Sequence, residues 1–397
     1  MIGKLNQSEQ VLLETLQKTG ADELAADFAK TGLPTRRNEA YHYSDLKMLL
    51  GDVPDLTTGA ISTSVPLLNI EGAYRILIVN GEVQISDEPP TGVIVSTSRG
   101  GVVEPENDIV AQLNSALTKE TLNIDLQGTV ETIIHIDRRY EGEASHINDG
   151  VELYILDGSN ATIIESFSGS NEAHLSNSAS KVILGRDAKV THIMVDLSGG
   201  RVRHLQSVQY EINESALLHS LIIHKGSALA RTQLFAKFIG ENAHADFAGL
   251  ILGAKEQHSD ISINIEHNVA NTTSSENYKS VVLDKAKAIF QGKILVARDA
   301  QKTDAAMKHQ GLMLSDDAQI LVKPELEIYA DDVICGHGAT CGQIDMDSLF
   351  YLMSRGIEKE QAKSMLIRAF LAELFDEIKI EALKEALISV ADEWLEV

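Results

Sequence analysis

Between about Ala73 and Gly342 the chain keeps a period of two and shows no helical pattern. Ile261, Ile263 and Ile265 alternate with Ser262, Asn264 and Glu266, and Val208, Tyr210 and Ile212 alternate with Gln209 and Glu211. Ile193, Val195 and Leu197 do the same with Met194 and Asp196. Successive side chains of a strand point to opposite faces, so each segment predicts a strand with one buried and one wet face. Ile76 to Val79 followed by Asn80-Gly81 predicts a strand entering a tight turn. The corners share a chemistry, a small polar residue before alanine. It occurs at Asn160-Ala161, Asp187-Ala188, Ser215-Ala216, Ser227-Ala228, Asn242-Ala243, Asp299-Ala300 and Asp317-Ala318, at irregular spacing. Strands without intervening helices argue against a doubly wound α/β fold. Many short strands, polar corners and only 5% aromatic residues predict a β-solenoid, each rung burying its inner face on its neighbours. A β-sandwich is the structural alternative, and it calls for tighter hairpins and more aromatics.

Helical patterns bracket this core. Ser8 is placed to cap a helix carrying Val11, Leu12 and Leu16 and stopped at Gly20; Asp22 starts a second, with Leu24 and Phe28 on one face and Gly32 at its end. The proline-marked turn GLPTRRNEAYHYSDL (32–46) follows. Its Arg36, Arg37, Tyr41 and Tyr43 either pack on the solenoid end or form an anion-binding patch. Near the other terminus, Asp345 or Asp347 caps a helix through Leu349, Phe350 and Leu352 to Arg355, and Gly356 ends it. A longer helix has Ala362, Met365, Leu366, Ala369, Phe370 and Leu374 on one face, and a third carries Leu383, Leu387, Ala391 and Trp394. The expected division is an N-terminal helical domain over 1–70, a β-helix core over 71–342 and a C-terminal helical domain over 343–397.

Thirty-four basic against 58 acidic residues give a net charge of −24, a surface that repels nucleic acid and anionic membrane. No apolar run approaches the roughly 20 residues that span a bilayer. The start lacks a secretory pattern, and two cysteines make no disulfide framework, so a reducing cytoplasm is the expected location. No phosphate-binding glycine loop occurs, so any ATP hydrolysis falls to a partner. His192, His204, His244, His258 and His267 sit among polar alternating positions. These and the pair His219 and His224 are expected on solvated outer faces.

Cys335, His337 and Cys341 lie within seven positions of one turn-rich segment. Thiolate and imidazole are ligands that iron, zinc and iron–sulfur clusters accept. Two residues apart in an extended segment, Cys335 and His337 share a face. The competing reading is that free cysteines are small buried hydrophobes. A fourth ligand is missing nearby, which fits a site completed by another subunit.

One pattern runs through Pro324, Leu326, Ile328, Ala330 to Val333, Cys335, His337 to Thr340, Gly342, Gln343, Leu349 to Gly356 and Arg368-Ala369-Phe370. It resembles the SufD family of scaffold subunits in SUF iron–sulfur cluster assembly, and the turn over 32–46 resembles that family's N-terminal entry. Gly338 and Arg368-Ala369-Phe370 separate it from the sister SufB family. The resemblance implies a right-handed parallel β-helix flanked by two helical domains. It implies a non-enzymatic scaffold that forms a heterodimer with a SufB-like paralogue through the β-helix, or a homodimer when alone. A SufC-like ABC-type ATPase would dock on the C-terminal helices, with Leu349, Phe350, Tyr351, Arg355, Arg368 and Phe370 as contact residues. Iron or an iron–sulfur cluster would be held transiently at the shared interface by His337, with Cys335 auxiliary, and no nucleotide would bind this chain. Cys341, where the family often has valine, is read as packing. The alternative from another class is a β-helical carbohydrate-active enzyme, against which the sparse aromatics count.

Overall fold

The computed structural model describes residues 5–57, 59, 67–102, 108–376 and 378–396. Helices α1 (Gln7–Thr19), α2 (Asp22–Thr31) and the single turn α3 (Leu46–Leu49) come first. Asn6, not Ser8, caps α1. Its side chain accepts from the Glu9 amide while the Glu9 carboxylate accepts from the Asn6 amide, a reciprocal pair that satisfies both donors. Ser8 sits inside the first turn and donates to the Gly51 carbonyl.

Strand β1 (Tyr74–Val79) turns at Asn80 and Gly81, both at positive φ, into antiparallel β2 (Glu82–Gln84). After β3 (Val93–Arg99) comes a helix that the period-two reading missed, α4 (Ile109–Leu117), with Asp108 as its cap. Then follow β4 (Glu120–Leu126), β5 (Ile134–Tyr140), β6 (His146–Ile155), β7 (Asn160–Gly169), β8 (Leu175–Leu184), β9 (Lys189–Asp196), β10 (Arg203–Ile212) and β11 (Leu217–His224). The run ends with β12 (Leu229–Phe238), β13 (His244–Gly253), β14 (His258–His267), β15 (Thr273–Val282), β16 (Lys287–Val296), β17 (Asp304–Met313), β18 (Gln319–Ile328) and β19 (Ile334–Gly342).

These strands form two sheets. One runs β19-β17-β15-β13-β11-β9-β7-β5-β1-β2 and the other β18-β16-β14-β12-β10-β8-β6-β4-β3. All pairings are parallel except β1 with β2 and β3 with β4. The chain is therefore a β-solenoid of about eight turns, with helices at both termini. Leu229 pairs with Arg203 on one side and His258 on the other, unequal steps that explain the irregular corner spacing. Asp187, Ser215, Ser227 and Asn242 hold the left-handed conformation that turns the corner, where Asn and Asp are the best tolerated non-glycines. Ala188, Ala216, Ala243 and Ala300 behind such corners are buried in the lumen core.

The alternations over 208–212 and 261–265 hold, with the apolar residues facing the lumen. In β9 the faces are reversed. Met194 belongs to the lumen core, while Ile193 and Val195 face outward and are also buried. They join Leu221, Ile223, Leu250 and Val281 in an outer apolar surface covered by the C-terminal helices. Each such aliphatic is worth roughly 1.5–3 kcal/mol when removed from water. The N-terminal helices cover the other sheet in the same way, setting Leu12, Leu16 and Phe28 against Leu175, Leu205 and Leu229. Tyr41 therefore packs on the flank of that sheet and not on the solenoid end. Its hydroxyl is 2.7 Å from Asp108 Oδ2 and 2.8 Å from Gln233 Oε1, and the Arg231 guanidinium stands 4.3 Å from its ring centroid.

Most of the histidines are buried, contrary to expectation. His192, His204, His224 and His267 point into the lumen, and His258 lies beneath the N-terminal segment, 2.9 Å from Ser44 Oγ. The lumen accepts them because each finds a partner: His204 with Ser176 at 2.8 Å, His224 with Thr232 at 2.9 Å, His267 with Thr272 at 2.8 Å. Burial drives His204 down to about 3 and His224, His258 and His267 to about 4, so these four are neutral at pH 7. His219 and His244 do lie on an outer face, half-buried around Asp246.

At the C-terminus, Asp345 caps α5 (Met346–Ser354), and Gly356 at φ 88 ends it. In α6 (Lys359–Phe375) the buried stripe is Ala362, Ile367, Leu371, Leu374 and Phe375, rotated from the expected one; Met365 and Ala369 face solvent. The rotation lets Ile367, Leu371 and Leu374 meet both the outer face of the sheet and α7 (Glu381–Leu395), which contributes Leu383, Leu387, Val390 and Trp394. No helix among the described residues is long and apolar enough to cross a membrane.

Candidate functional site

β19 is the last strand of its sheet. It pairs with β17 on one side, and no strand among the described residues pairs with its other edge. Cys335 stands in register with Ala305, His337 with Met307 and Cys341 with Gly311. Ala305 and Met307 are lumen residues, so Cys335 and His337 share the lumen-side face. Cys335 is half-buried against the lumen core, and His337 is exposed because nothing is stacked above it. The open end has an apolar rim, with Ile334 72% and Tyr329 61% exposed.

Burial raises the Cys335 thiol above its usual range, with the nearby Asp304 and Glu276 carboxyls adding to the effect and a backbone hydrogen bond with Ala305 opposing it. Burial raises Cys341 as well. Both are therefore thiols at pH 7, and a metal arriving at Cys335 has to displace a proton. Among the described residues no three His, Cys, Asp or Glu side chains gather to hold a metal ion. The structure brings one thiol and one imidazole to the same face of the last rung, Cys335 half-buried and His337 exposed.

Beneath this face lies a group that no pattern announced. Glu276 is in register with Met307, which is in register with His337. It is fully buried, neither carboxyl oxygen has a hydrogen-bond partner, and burial pushes its pKa up to about 8. The Tyr278 hydroxyl beside it is also unpartnered. The segment TSSENYKSVV has polar residues at both parities, so nothing in it signals which face turns inward.

The six helix residues expected to meet an ATPase separate into three groups. Phe350 (72% exposed), Tyr351 and Arg355 stand on the surface, the Arg355 guanidinium 5.1 Å from the Tyr351 ring centroid. Arg368 is exposed and paired with Asp392 at 2.7 Å, and Phe370 is half-buried under Lys279 Nζ at 4.8 Å. Leu349 is buried and supports α5 from within. Met346, Met353 and Met365 extend the exposed apolar surface.

The family model described as "SUF system FeS cluster assembly, SufBD core domain" matches residues 140–370, which include β19 and both of its candidate ligands. The chain belongs to the SufBD family. Within the family it is of the SufD type. It is 29% identical over 396 residues to the iron–sulfur cluster assembly protein SufD of Escherichia coli, covering 94% of this chain and 92% of that one. It is 30% identical over 304 residues to SufD of Bacillus subtilis, with 74% and 68% covered. A SufBD family protein of Synechocystis is 27% identical, with 89% and 86% covered. SufBD membership gives the chain a role in iron–sulfur cluster assembly and displaces the carbohydrate-active alternative.

Proposed function

We propose that this SufBD-family chain is a non-enzymatic scaffold subunit that completes a cluster-building site with a partner at its open end. The observation that carries this reading is the last rung, where Cys335 and His337 stand together on a strand whose outer edge is unpaired. An exposed parallel edge with an apolar rim is a template for a further strand. A SufB-like paralogue built on the same solenoid supplies one, and a second copy of this chain does so when the paralogue is absent. Two ligands from this side and others from the partner then hold iron or a nascent cluster as cargo, His337 as principal ligand and Cys335 as auxiliary. Cys341, expected to be a packing residue, is exposed next to Gly311, and we do not count it as a ligand.

A SufC-like ATPase docks on α5 and α6 through Phe350, Tyr351 and Arg355, with Arg368 and Phe370 at the margin. This chain binds no nucleotide in this reading, and the partner's hydrolysis drives the cycle. The working division is 1–70, 71–342 and 343–397.

The test uses the chain co-purified with its SufB-like and SufC-like partners. His337→Ala should abolish iron and sulfide accumulation while the complex elutes unchanged; a normal cluster yield would overturn the ligand assignment. For the ATPase, Phe350→Ser with Tyr351→Ser should remove capture of the ATPase. Surface substitutions are preferred to truncation, because α6 and α7 cover the apolar outer face of the sheet.

A further inference from the structure

Along the solenoid, charges on one rung are answered by opposite charges on the next. On the outer face of the sheet that ends in β18, Lys181 stands 3.2 Å from Glu211, Lys237 3.9 Å from Glu266 and Lys293 2.7 Å from Glu327, each across one strand pairing. At the corners, Arg186 is 3.2 Å from Asp157 and Lys285 is 4.0 Å from Glu256, again one rung apart. Each exposed pair contributes only about 0–1 kcal/mol, but like charges stacked in the same places would repel.

The last rung departs from this alternation. In the rung below it the corners carry both signs, Asp284 with Lys285 at one and Asp299 with Arg298 and Lys302 at the other. The corners of the last rung carry Asp316-Asp317 and Asp331-Asp332, all four exposed, and β18 runs from one pair to the other. Ser315 Oγ accepts from the Asp284 amide and the Asp332 carbonyl accepts from the Lys302 amide, so each pair tops the column of corners beneath it. Lys302 matches Asp332 from below, whereas Asp316, Asp317 and Asp331 have no ion pair among the described residues. Residues 314–347 hold eight acidic side chains against one lysine, where the whole chain holds 58 acidic against 34 basic. The same end carries the free edges of β18 and β19 and the exposed Tyr329 and Ile334.

We propose that the open end chooses its partner by charge: it takes a chain whose facing rung has lysine or arginine at its corners, and it disfavours a second copy of itself at low ionic strength. This rests on the reading of that end as the docking edge. The free edges and the apolar rim would hold either partner, and the charge decides between them. A two-fold dimer sets a surface against its own copy, so it would lay these aspartates on their equivalents. Like charges brought together across an interface cost several kcal/mol. A basic rung would instead continue the alternation that the solenoid follows internally, so one set of side chains both attracts the right partner and repels the wrong one.

The full chain is followed by sedimentation velocity, alone and with the SufB-like partner, at about 50 mM and about 500 mM sodium chloride, where screening differs strongly. Self-association should tighten as salt rises, and association with the partner should weaken. Asp316→Asn, Asp317→Asn and Asp331→Asn together should tighten self-association at least about tenfold at low salt and weaken partner binding by a similar factor, both differences fading at high salt. Glu143→Gln, Glu214→Gln and Glu241→Gln together remove the same charge from exposed positions on earlier rungs and should change neither. Salt effects of the same sign on both associations, or an aspartate variant that behaves as the glutamate variant does, would overturn charge selection. If Ile334→Lys still blocks the partner in that case, the docking edge stands without it. Partner binding untouched by Ile334→Lys and by the aspartate variant alike would overturn the docking edge itself.

Discussion

The two ends of the solenoid are built differently. At the N-terminal end the outermost strands, β2 and β3, run antiparallel to their neighbours, and beneath them Leu122, Ile124 and Leu126 of β4 are fully buried. At the C-terminal end β18 and β19 continue the parallel stack to its last rung, and Ile320, Val322, Leu326 and Cys335 are only partly covered. Two charged or polar clusters of the lumen differ as well, although single unpartnered atoms such as His204 Nε2 occur between them. Near the first end Arg138 holds Asp149 at 2.6 Å and also Glu165, whose other oxygen is 2.6 Å from His192. Near the second, Glu276 and Tyr278 are unpartnered. A reversed strand and a satisfied network finish a stack, and a parallel edge over unsatisfied groups leaves it ready for more.

The contrast is broken most severely at the rim. Ile334→Lys should reduce association with the SufB-like partner by about 100-fold or more, since a buried unpaired charge is among the costliest interface changes. Ile94→Lys, on β3 at the other end, should leave it unchanged. Light scattering and titration of the two variants check this, and equal effects would show that the two edges are equivalent.

The next largest effect concerns what covers the flanks. Leu371→Ala, in the buried stripe of α6, should cost about 2–5 kcal/mol in denaturant unfolding, against about 0.5 kcal/mol or less for the exposed Met365→Ala. Similar losses would mean that α6 presents the opposite face to the sheet.

The lumen network gives two pH profiles of opposite sign. Glu276 keeps its proton up to about 8 in the native state but loses it near 4.5 when unfolded. The native state therefore binds the extra proton, and stability falls as pH rises from 4.5 to about 8. Glu276→Gln should raise the melting temperature by a few degrees at pH 8 and have no advantage below pH 4.5. Burial works against ionised Glu165, yet Arg138, then His192 and Ser180, hold its pKa down to about 2. Its stabilising contribution is present above 4.5 and lost as pH falls towards 2, so Glu165→Gln should destabilise the protein at pH 7 and lose that penalty in acid. Thermal scans across pH check both. The smallest effect is at the N-terminal cap, where Asn6→Ala should cost about 1 kcal/mol.

Period two, polar corners and terminal caps made the solenoid and its helices legible in the sequence. Which face of a strand is inside was not legible where both faces are buried. Ile193 and Val195 look like a lumen stripe but lie beneath α6 and α7, and His192 and His204 look solvated but are enclosed with partners. Alternation reports that two faces differ, and only the neighbouring layers decide what each one meets. Helix α4 was missed although Asp108 precedes Val110, Leu113 and Leu117 at helical spacing, because the surrounding strands set the period. At the candidate site, the shared face of Cys335 and His337 followed from their spacing. Its openness did not, since a free edge depends on where the whole stack stops.

Unequal parallel rungs, each touching only the one before and the one after, make the molecule behave as a one-dimensional crystal with a growing face. Protection of backbone amides from exchange should grade along the axis, weakest at β18 and β19. In the proposed assembly, a partner that adds a layer would convert that terminal rung into an interior position, and the rung bearing Cys335 and His337 would gain its full protection only once the partner is in place.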